Sequence, residues 1–345
     1  MRKQRPNRMS ALKPPDVLFQ MVIGKWISQA LGTVVAIGVA DQLRNGARRC
    51  SDIARTARVS EDGLYRLLRA LASVGVFAES ADRRFKLTPM GQFLRRDHPE
   101  SVAGYALFTA HDSTWRPWGR LDYSVKTGLP AFDAVFGAPI FEYLSGHPET
   151  AAVFDAAMTS ISAREASATC DAYDFKGAKT VMDVAGGHGL LLGTILRRHK
   201  TMRGVLFDLP HVVAGAAATF ARAGVTARVR IEHGDFFKAL PSGADAIVMK
   251  HIVHDWDDES ATRILQSCHR ALAPRGKVLI VDPVVPSGNV PHYGKLLDLE
   301  MLVLTPRGRE RTKAEFTSLL QGAGFRLSRV IATKSPLSVV EAIKA

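Results

Sequence analysis

The chain has 345 residues, of which 46% are hydrophobic and 23% charged, and its formal net charge is +13. This length fits about two domains, and the balance of apolar and charged residues excludes an intrinsically disordered or fibrous protein. Three scattered cysteines, Cys50, Cys170 and Cys268, form no disulfide framework, which favours a reducing cytoplasm. The first 100 residues hold 18 basic and 9 acidic residues. This excess of positive charge could attract nucleic acid or an anionic membrane, or only increase solubility.

The first residues of the chain carry no recognisable targeting segment. Residues 1–14 are basic and contain prolines, and we expect a disordered tail there. The most apolar stretch, residues 30–40, is about half the roughly 20 residues that a membrane-spanning helix needs. It falls inside a helix that apolar spacing predicts from Asp16 to Leu43. We therefore expect a buried helix and no membrane partner.

The next segment has the pattern of a winged helix. Ser51 and Ser60 are suitable N-caps for two short helices, the second with an apolar stripe. Residues 76–78 and 84–87 then predict a β-hairpin. Two short helices followed by a hairpin are typical of winged-helix domains.

Short β-rich runs alternate with helices in the second half, after a mostly helical stretch over residues 99–170. The predicted strands cover residues 180–184, 204–208, 229–232, 246–249, 277–282, 324–330 and 337–343. The helices between them cover residues 189–199, 211–223 and 258–272. This alternation predicts an α/β domain whose parallel sheet has helices on both faces.

A glycine-rich turn follows the first of these strands. Gly187 and Gly189 permit positive φ and close approach of a ligand to the backbone. The dinucleotide pattern G-x-G-x-x-G fails here, since Ala185 and Leu190 occupy two of its glycine positions, and no Walker lysine follows. A pyrophosphate ligand is therefore disfavoured.

Acidic residues mark the ends of three successive strands. Asp183 precedes the turn and suits an ammonium or sulfonium group, while Asp208 stands where an acid binds ribose hydroxyls. Asp235 and Phe236 follow the third strand, where a carboxylate accepts from an exocyclic amine and a ring covers a base. Together they predict an adenosine pocket without phosphate contacts. Taken singly, Asp208 and Asp235 have the alternative interpretation of loop caps, which three acids at successive strand ends disfavour.

The sequence resembles the S-adenosylmethionine-dependent small-molecule O-methyltransferases of the caffeate and acetylserotonin types, with bacterial natural-product relatives. The matching segments begin at Asp183, Phe207, Gly234, Met249, Pro274 and Gly308, and the most specific is His-Asp-Trp at 254–256. The resemblance implies an α/β class I methyltransferase fold, a Rossmann-like sheet, with an N-terminal helical winged-helix dimerisation domain. It also implies a homodimer, a small-molecule acceptor and S-adenosyl-L-methionine as cofactor, converted to S-adenosyl-L-homocysteine.

Positions carried over from this family imply a cofactor site in which Asp208 holds the ribose, Asp235 and Phe236 bind adenine, and Lys250 lies near the cofactor. The full set of expected cofactor-binding residues is Asp183, Ala185, Gly186, Gly187, Gly189, Asp208, Leu209, Asp235, Phe236 and Lys250. The family usually has glycine at position 185. Alanine there is expected to tighten the turn or to weaken cofactor binding slightly, without abolishing it.

His254 is the expected general base, because it lies between a strand and a helix at the ligand-binding edge of the sheet. A histidine there takes the proton of a hydroxyl as its oxygen attacks a sulfonium methyl group. The resemblance implies that Asp282 and Glu310 flank and orient its ring, Asp282 standing where the family often has Glu. The alternative for His254 is a helix-cap or core histidine. His251 and His269 are interpreted as surface or packing residues.

The acceptor pocket is expected to come from helices before the sheet. The resemblance places Phe154 and Met158 at cofactor- and acceptor-facing positions, while His111, Trp115 and Met301 are weaker candidates, with Trp118 and Phe108. An aromatic or methionine stripe is also typical of plain core. The expected organisation is a tail over 1–14, a dimerisation domain over 15–100, a helical linker over 101–175 and a methyltransferase domain over 176–345.

Three other functions fit parts of the pattern. Nitrogen or carbon acceptors suit the same fold, although an amine needs less help with its proton than a hydroxyl. A winged-helix DNA-binding regulator is the remote alternative, since Arg66 and Arg69 on the second short helix could contact phosphates. The apolar surface of that helix argues that it packs against protein and does not bind nucleic acid. No ligand spacing for a metal is evident, and Asp255, Asp257 and Asp258 are interpreted as charges at a helix N-terminus.

Overall fold

The computed structural model of the protein describes residues 13–345. These fall into two compact units, one ending at Asp112 and the other covering Ser113–Ala345. The predicted tail over residues 1–14 lies outside the described residues except for Lys13 and Pro14, and Pro14 begins the first helix.

The first unit is a helical domain with a small sheet. Its elements are α1 (Pro14–Ala36), α2 (Val39–Gln42), β1 (Arg48–Arg49), α3 (Cys50–Ala57), α4 (Glu61–Ser73), β2 (Phe77–Ser80), β3 (Arg84–Leu87) and α5 (Ala103–Ala110). The strands form an antiparallel sheet in the order β1-β3-β2. The short helices and the hairpin lie where the sequence predicts them.

Helix α4 has the cap and the apolar face that the sequence predicts, whereas the long first helix is interrupted. Ser60 caps α4, its hydroxyl accepting from Gly63 N at 3.3 Å, and Leu64, Leu68 and Leu71 are buried on one face. The single helix predicted from Asp16 to Leu43 is wrong. It breaks at Gly38, whose φ of +70° ends α1 and starts α2.

Helix α1 presents a band of exposed apolar side chains. They are Leu18, Phe19, Met21, Val22, Trp26 and Ile27. Within residues 13–345, α1 is the one helix long and apolar enough to cross a membrane by length and composition. A helix that packs against another protein chain meets the same test, so this property alone is weak support for a membrane span.

The second unit begins with helices and continues into a sheet. The helices are α6 (Asp112–Trp118, which starts at the last residue of the first unit), α7 (Leu121–Thr127), α8 (Ala131–Phe136), α9 (Ile140–Gly146) and α10 (Pro148–Ala172). The elements that follow are β4 (Thr180–Val184), α11 (Leu190–Arg198), β5 (Arg203–Asp208), α12 (Pro210–Val213), α13 (Ala216–Ala223), β6 (Val229–His233), β7 (Ala244–Lys250), α14 (Asp258–Ala271), β8 (Leu272–Asp282), α15 (Gly294–Leu304), α16 (Lys313–Gly322), β9 (Phe325–Ala332) and β10 (Ser338–Lys344).

The seven strands β4–β10 form one sheet in the order β6-β5-β4-β7-β8-β10-β9. The pairs among β4–β8 are parallel, as predicted, whereas β10 runs antiparallel to both of its neighbours. Apolar side chains cover both faces of the sheet, which confirms the two-sided α/β arrangement. Parallel strands place the carboxyl ends of β4, β5, β7 and β8 at one edge, where ligands bind in such folds.

The helix predicted over residues 211–223 is interrupted between α12 and α13. Gly215 stands at the interruption, and a Cβ there would lie about 3.0 Å from the His188 ring. The close approach of this ring leaves little room for a side chain at position 215.

Candidate active site

The turn between β4 and α11 is held in left-handed backbone conformations. Ala185, Gly187 and Gly189 have φ of +53°, +58° and +74°. Ala185 N donates to Phe207 O at 2.7 Å, which ties the turn to β5. Ala185 therefore has a backbone conformation that favours glycine, at a cost of about 1–2 kcal/mol.

The three glycines of this turn have different surroundings. A Cβ at Gly186 would lie 2.5 Å from the Asp183 carboxylate carbon, and one at Gly189 would lie 2.3 Å from the Phe220 ring. A Cβ at Gly187 would meet no atom within 4 Å. Gly186 and Gly189 are thus required by packing, while Gly187 offers open backbone to a ligand.

Asp183 lies in β4, one residue before the strand ends and the turn begins. It is 1% exposed, and its Oδ2 accepts a hydrogen bond from Leu192 N at 3.3 Å. Burial raises its pKa to about 7, although the Lys250 charge and the Leu192 bond oppose that rise. Since the partner of Asp183 is a backbone amide in the first turn of α11, this carboxylate holds the helix against the glycine turn.

Asp208 ends β5 and faces the turn. Its Oδ2 accepts from Gly187 N at 2.8 Å and its Oδ1 from Leu209 N at 2.7 Å, and burial raises its pKa. Each carboxylate oxygen has two lone-pair sites, so both oxygens keep one acceptor site after these bonds. Leu209 is partly exposed beside it.

Asp235 and Phe236 follow β6 at the same edge. Asp235 Oδ1 accepts from Phe237 N at 2.9 Å, which stabilises the loop. The Phe236 ring packs edge-on against Phe237 and Trp256, with centroids 4.9 and 5.9 Å away. An aromatic cluster therefore borders the side of the edge where the sequence predicts an adenine site.

Lys250 ends β7 and makes a buried ion pair that the sequence did not reveal. Its Nζ lies 3.1 Å from Oε2 of Glu165 on α10, and His251 Nε2 lies 3.0 Å from Oε1 of the same residue. Burial opposes ionisation of Glu165, but the charges of His251 and Lys250 outweigh it and lower its pKa to about 2. Glu165 was missed because nothing in its local sequence marks it.

His254 lies just after β7 and is 5% exposed. Its Nδ1 is 2.6 Å from Glu310 Oε1, and its Nε2 is 3.6 Å from Asp255 Oδ1. Burial disfavours the charged imidazolium, but the carboxylates of Glu310, Asp255 and Asp282 outweigh burial and raise the pKa of His254 to about 10. The carboxylate of Glu310 therefore holds the His254 ring, and the other ring nitrogen faces the carboxylate of Asp255.

The two predicted orienting carboxylates occupy different places. Glu310 bonds the ring of His254 directly, whereas Asp282 Oδ1 accepts from the backbone N of His251 at 2.9 Å. Asp282 is fully buried, and its Oδ2 has no hydrogen-bond partner among residues 13–345. Its influence on His254 is through its charge.

The interpretation of Asp255 as a helix charge is wrong. Its carboxylate faces His254, and burial raises its pKa to about 7. Asp257 is the N-cap of α14, accepting from Ser260 N at 2.8 Å, and Asp258 pairs with Arg311. The helix therefore starts at Asp258, as predicted, but only two of the three acids serve it.

Arg311 fixes the segment that carries Glu310. Although 1% exposed, its guanidinium donates to Asp258 Oδ1 at 2.7 Å, to Val253 O at 2.9 Å and to Trp256 O at 2.8 Å. Arg309 N donates to His254 O at 2.8 Å. These bonds set the distance between Glu310 and His254 across 56 residues of sequence.

The predicted acceptor-site residues are dispersed over several helices. Phe154 and Met158 are half-buried on α10, Met301 is buried on α15, Trp115 is partly exposed on α6, and His111 ends α5 in the first unit. Of these, Phe154 connects to the catalytic edge through rings. It packs against Phe141 at 6.4 Å, and Phe141 stacks on Trp256 at 6.0 Å. Trp118, a weaker candidate, donates to Glu300.

The fold also produces a cluster with ligand chemistry for a metal, which sequence spacing did not indicate. One ring nitrogen each of His251 and His254 and one oxygen of Asp282 all lie within 4.8 Å of one another. Residues 31 positions apart meet here because β7 and β8 are neighbours in the sheet.

Two family models match the chain, an O-methyltransferase domain over residues 118–326 and an O-methyltransferase dimerisation domain over residues 19–97. Phenazine O-methyltransferase PhzM of Lysobacter antibioticus is 40% identical, over 97% of this chain and 98% of that protein. The crystal structure of LaPhzM superposes with a TM-score of 0.93 at 39% identity and covers 97% of this chain and 100% of its own.

A second solved structure is a complex with the cofactor and an aromatic ligand. The O-methyltransferase NcsB1 from neocarzinostatin biosynthesis, in complex with S-adenosylmethionine and 2-hydroxy-5-methyl naphthoic acid, is 31% identical with a TM-score of 0.78. The match covers 92% of this chain and 96% of that chain. These matches agree with the sheet order, the glycine turn and the buried His254–Glu310 pair, and they establish that the chain belongs to the O-methyltransferase family, with that family's dimerisation domain over residues 19–97.

Proposed function

We propose that this enzyme transfers a methyl group from S-adenosylmethionine to a hydroxyl of a small aromatic or polyketide-like secondary metabolite, with His254 as general base. The observation that carries this proposal is the buried His254–Glu310 pair, 2.6 Å apart, at the ligand-binding edge of the sheet. S-adenosylmethionine supplies an electrophilic methyl group on a sulfonium sulfur.

The residues around the glycine turn fit such a cofactor. Gly187 leaves space where a side chain would stand, and both oxygens of Asp208 keep an acceptor site for ribose hydroxyls. Asp235 and Phe236 offer a carboxylate and a ring for adenine, and Leu209 adds apolar contact. Asp183, Ala185, Gly186 and Gly189 shape the turn that faces the methionine portion, and Lys250 lies at its border.

His254 is suited to take a proton from a phenol. A phenol has a pKa of about 10, so transfer to a histidine of ordinary pKa costs roughly 5 kcal/mol. The three carboxylates near His254 raise its pKa to about 10, which makes the transfer nearly isoenergetic. As the acceptor oxygen forms its bond to the methyl carbon, the carbon–sulfur bond breaks and the hydroxyl proton stays on His254, balanced by Glu310.

The acceptor is a flat ring system by this proposal. Phe154 on α10 reaches the catalytic edge through Phe141 and Trp256. Met158, Met301 and Trp115 are the further wall residues in this proposal, and helices α6–α10 supply most of the wall. Asp282 acts on His254 through its charge, beside the direct bond from Glu310. Sulfur, methyl carbon and oxygen must be collinear, and rigid walls of this kind supply that alignment.

We also propose a cytoplasmic homodimer assembled through residues 15–100. The matched dimerisation domain and the exposed apolar band of α1 support this assembly. An apolar band of this size needs a partner surface. We expect neither nucleic acid nor a membrane to be that partner; an absence of mobility shift on duplex DNA at low salt tests the first expectation.

The function is tested by incubating the purified enzyme with methyl-labelled S-adenosylmethionine and a panel of hydroxylated phenazines, naphthoates and benzoates. We expect label in an ether product, identified by mass spectrometry. The second candidate is N-methylation, favoured by a curated relative that is 34% identical, an N,N-dimethyltransferase of 8-amino-8-demethylriboflavin. Amino analogues of the same rings decide between the two, because label on the amines and none on the hydroxyls contradicts O-methylation.

A further inference from the structure

We propose that His251, His254 and Asp282 form a site for a divalent transition-metal ion such as Zn²⁺, and that the ion inhibits the enzyme by occupying the general base. Metal binding is independent of the proposed function; the inhibitory consequence rests on it. None of the three ligands is among the expected cofactor contacts, although Lys250, which is one of those contacts, shares its partner Glu165 with His251.

The three residues offer the right ligand atoms. Imidazole nitrogen and carboxylate oxygen are ligands that Zn²⁺ takes at about 2.0–2.2 Å. One such atom from each residue lies within 4.8 Å of the other two. Binding a common ion at about 2.0–2.2 Å requires these atoms to move closer together. Asp282 is fully buried and its Oδ2 has no hydrogen-bond partner among the described residues, which leaves that oxygen available as a ligand.

Both histidines are already oriented as metal ligands are. A ligating histidine commonly gives its second ring nitrogen to a carboxylate, which fixes the ring and raises its basicity. Here Glu165 bonds Nε2 of His251 at 3.0 Å and Glu310 bonds Nδ1 of His254 at 2.6 Å. The nitrogens left for an ion are Nδ1 of His251 and Nε2 of His254. Glu165 also pairs with Lys250, so one carboxylate orients both Lys250 and the first histidine of the cluster.

The local backbone and charge favour the same conclusion. His251 has φ of +57°, a left-handed conformation that non-glycine residues adopt at a cost and mostly at functional sites. Three carboxylates lie beside the cluster, those of Asp255, Glu310 and Glu165, and Asp282 within it is a fourth. Among the nearby cations, Lys250 is paired with Glu165, and Arg311 with Asp258, so the immediate surroundings of the ligand atoms carry an excess of negative charge.

An ion at this position stops methyl transfer because it occupies the His254 nitrogen that accepts the acceptor's proton. A chelator therefore activates a metal-loaded preparation, which is the opposite of the behaviour of a metal-dependent methyltransferase. The enzyme transfers methyl groups only after the ion has been removed.

Binding is measured directly, with the full-length enzyme free of acceptor, by isothermal titration with Zn²⁺ and by the visible absorption of tetrahedral Co²⁺. We expect one ion per chain. His251→Gln removes a ligand and is expected to abolish binding, whereas Glu165→Gln weakens it about 10- to 100-fold. His269→Gln, a histidine on α14 outside the cluster, is the matched control and keeps native affinity. Equal affinity in His251→Gln and native enzyme, or absence of stoichiometric binding, overturns the site.

Inhibition is then measured with the acceptor found in the screen above. We expect Zn²⁺ to reduce turnover of native enzyme and of His269→Gln, with recovery on addition of chelator, and to leave His251→Gln unaffected. Affinity for S-adenosylhomocysteine is expected to stay the same with and without Zn²⁺. Stoichiometric binding that depends on His251 but leaves turnover unchanged overturns the inhibitory role and, separately, counts against His254 as the base.

Discussion

Replacing Glu310 with Gln tests whether its carboxylate sets the proton affinity of the general base. The side chain of Glu310 lies 2.6 Å from His254 Nδ1 and is buried. Glutamine keeps the shape and an acceptor oxygen but loses the negative charge that stabilises the imidazolium. The pKa of His254 is therefore expected to fall.

The size of the fall follows from the pair's geometry. A hydrogen bond with a charged partner contributes about 1.5–3 kcal/mol, against about 0.5–1.5 kcal/mol for a neutral one. The difference corresponds to a decrease of about one pKa unit, since one unit equals about 1.4 kcal/mol. Coulomb attraction at an effective dielectric constant near 20 is about 4 kcal/mol for charges 4 Å apart, which sets an upper estimate of about three units.

NMR titration of the His254 ring measures this pKa without any acceptor. We expect a value well above the ordinary 6.5 in native enzyme and a decrease of one to three units in Glu310→Gln. Glu315→Gln is the control, because Glu315 caps α16 and bonds Thr312 and Arg309 but does not touch His254. An unchanged pKa in Glu310→Gln refutes the assignment of Glu310 as the residue that raises it.

The lower pKa of His254 in Glu310→Gln also changes how kcat/KM depends on pH. The base acts only when neutral, so kcat/KM of native enzyme rises with pH toward the raised pKa of His254. In Glu310→Gln that rise moves to lower pH, while the plateau falls because the weaker base transfers the proton less favourably. A plateau equal to the native one means that proton transfer does not limit the reaction.

Three further variants test the rest of the site. His254→Ala is expected to lower kcat by about 10²–10⁴-fold with cofactor affinity retained; single-turnover assays at native rate contradict its role as base. Asp208→Ala is expected to weaken S-adenosylhomocysteine at least about tenfold, because hydrogen bonds to a charged group contribute roughly 1.5 kcal/mol or more, and calorimetry showing native affinity means that the ribose binds elsewhere. Ala185→Gly removes the strain of an alanine in the left-handed region, at φ +53°. After subtraction of the entropy cost of glycine, we expect the free energy of unfolding to increase by about 0.5–1 kcal/mol and the Tm to rise. A lower Tm in thermal unfolding is evidence against strain at this turn.

Much of the fold was predictable because its signals are local. Strands β4 to β10 follow runs of apolar and β-branched residues, and α14 begins where Asp257 provides a cap. The glycine turn is recognisable because Gly187 and Gly189 adopt positive φ, which glycine accommodates most readily. These features depend on residues a few positions apart, so their pattern survives in the sequence alone.

Other features required the tertiary structure. The direction of β10, the break at Gly38 and the ring of His188 against Gly215 depend on what packs nearby. Periodicity reports which face of an element is buried, but not the identity of the residue that covers it.

The amino-acid sequence by itself determined the α/β sheet, the glycine turn and the candidate base, since each is encoded by neighbouring residues. Only the folded chain decided that Asp255 faces His254, that Asp282 bonds the backbone of His251, and that Glu165 reaches His251 across 86 positions. Electrostatic coupling falls off with distance in space, and that distance is set by how strands and helices dock. A carboxylate's partner is therefore invisible until the elements that carry both groups are packed together.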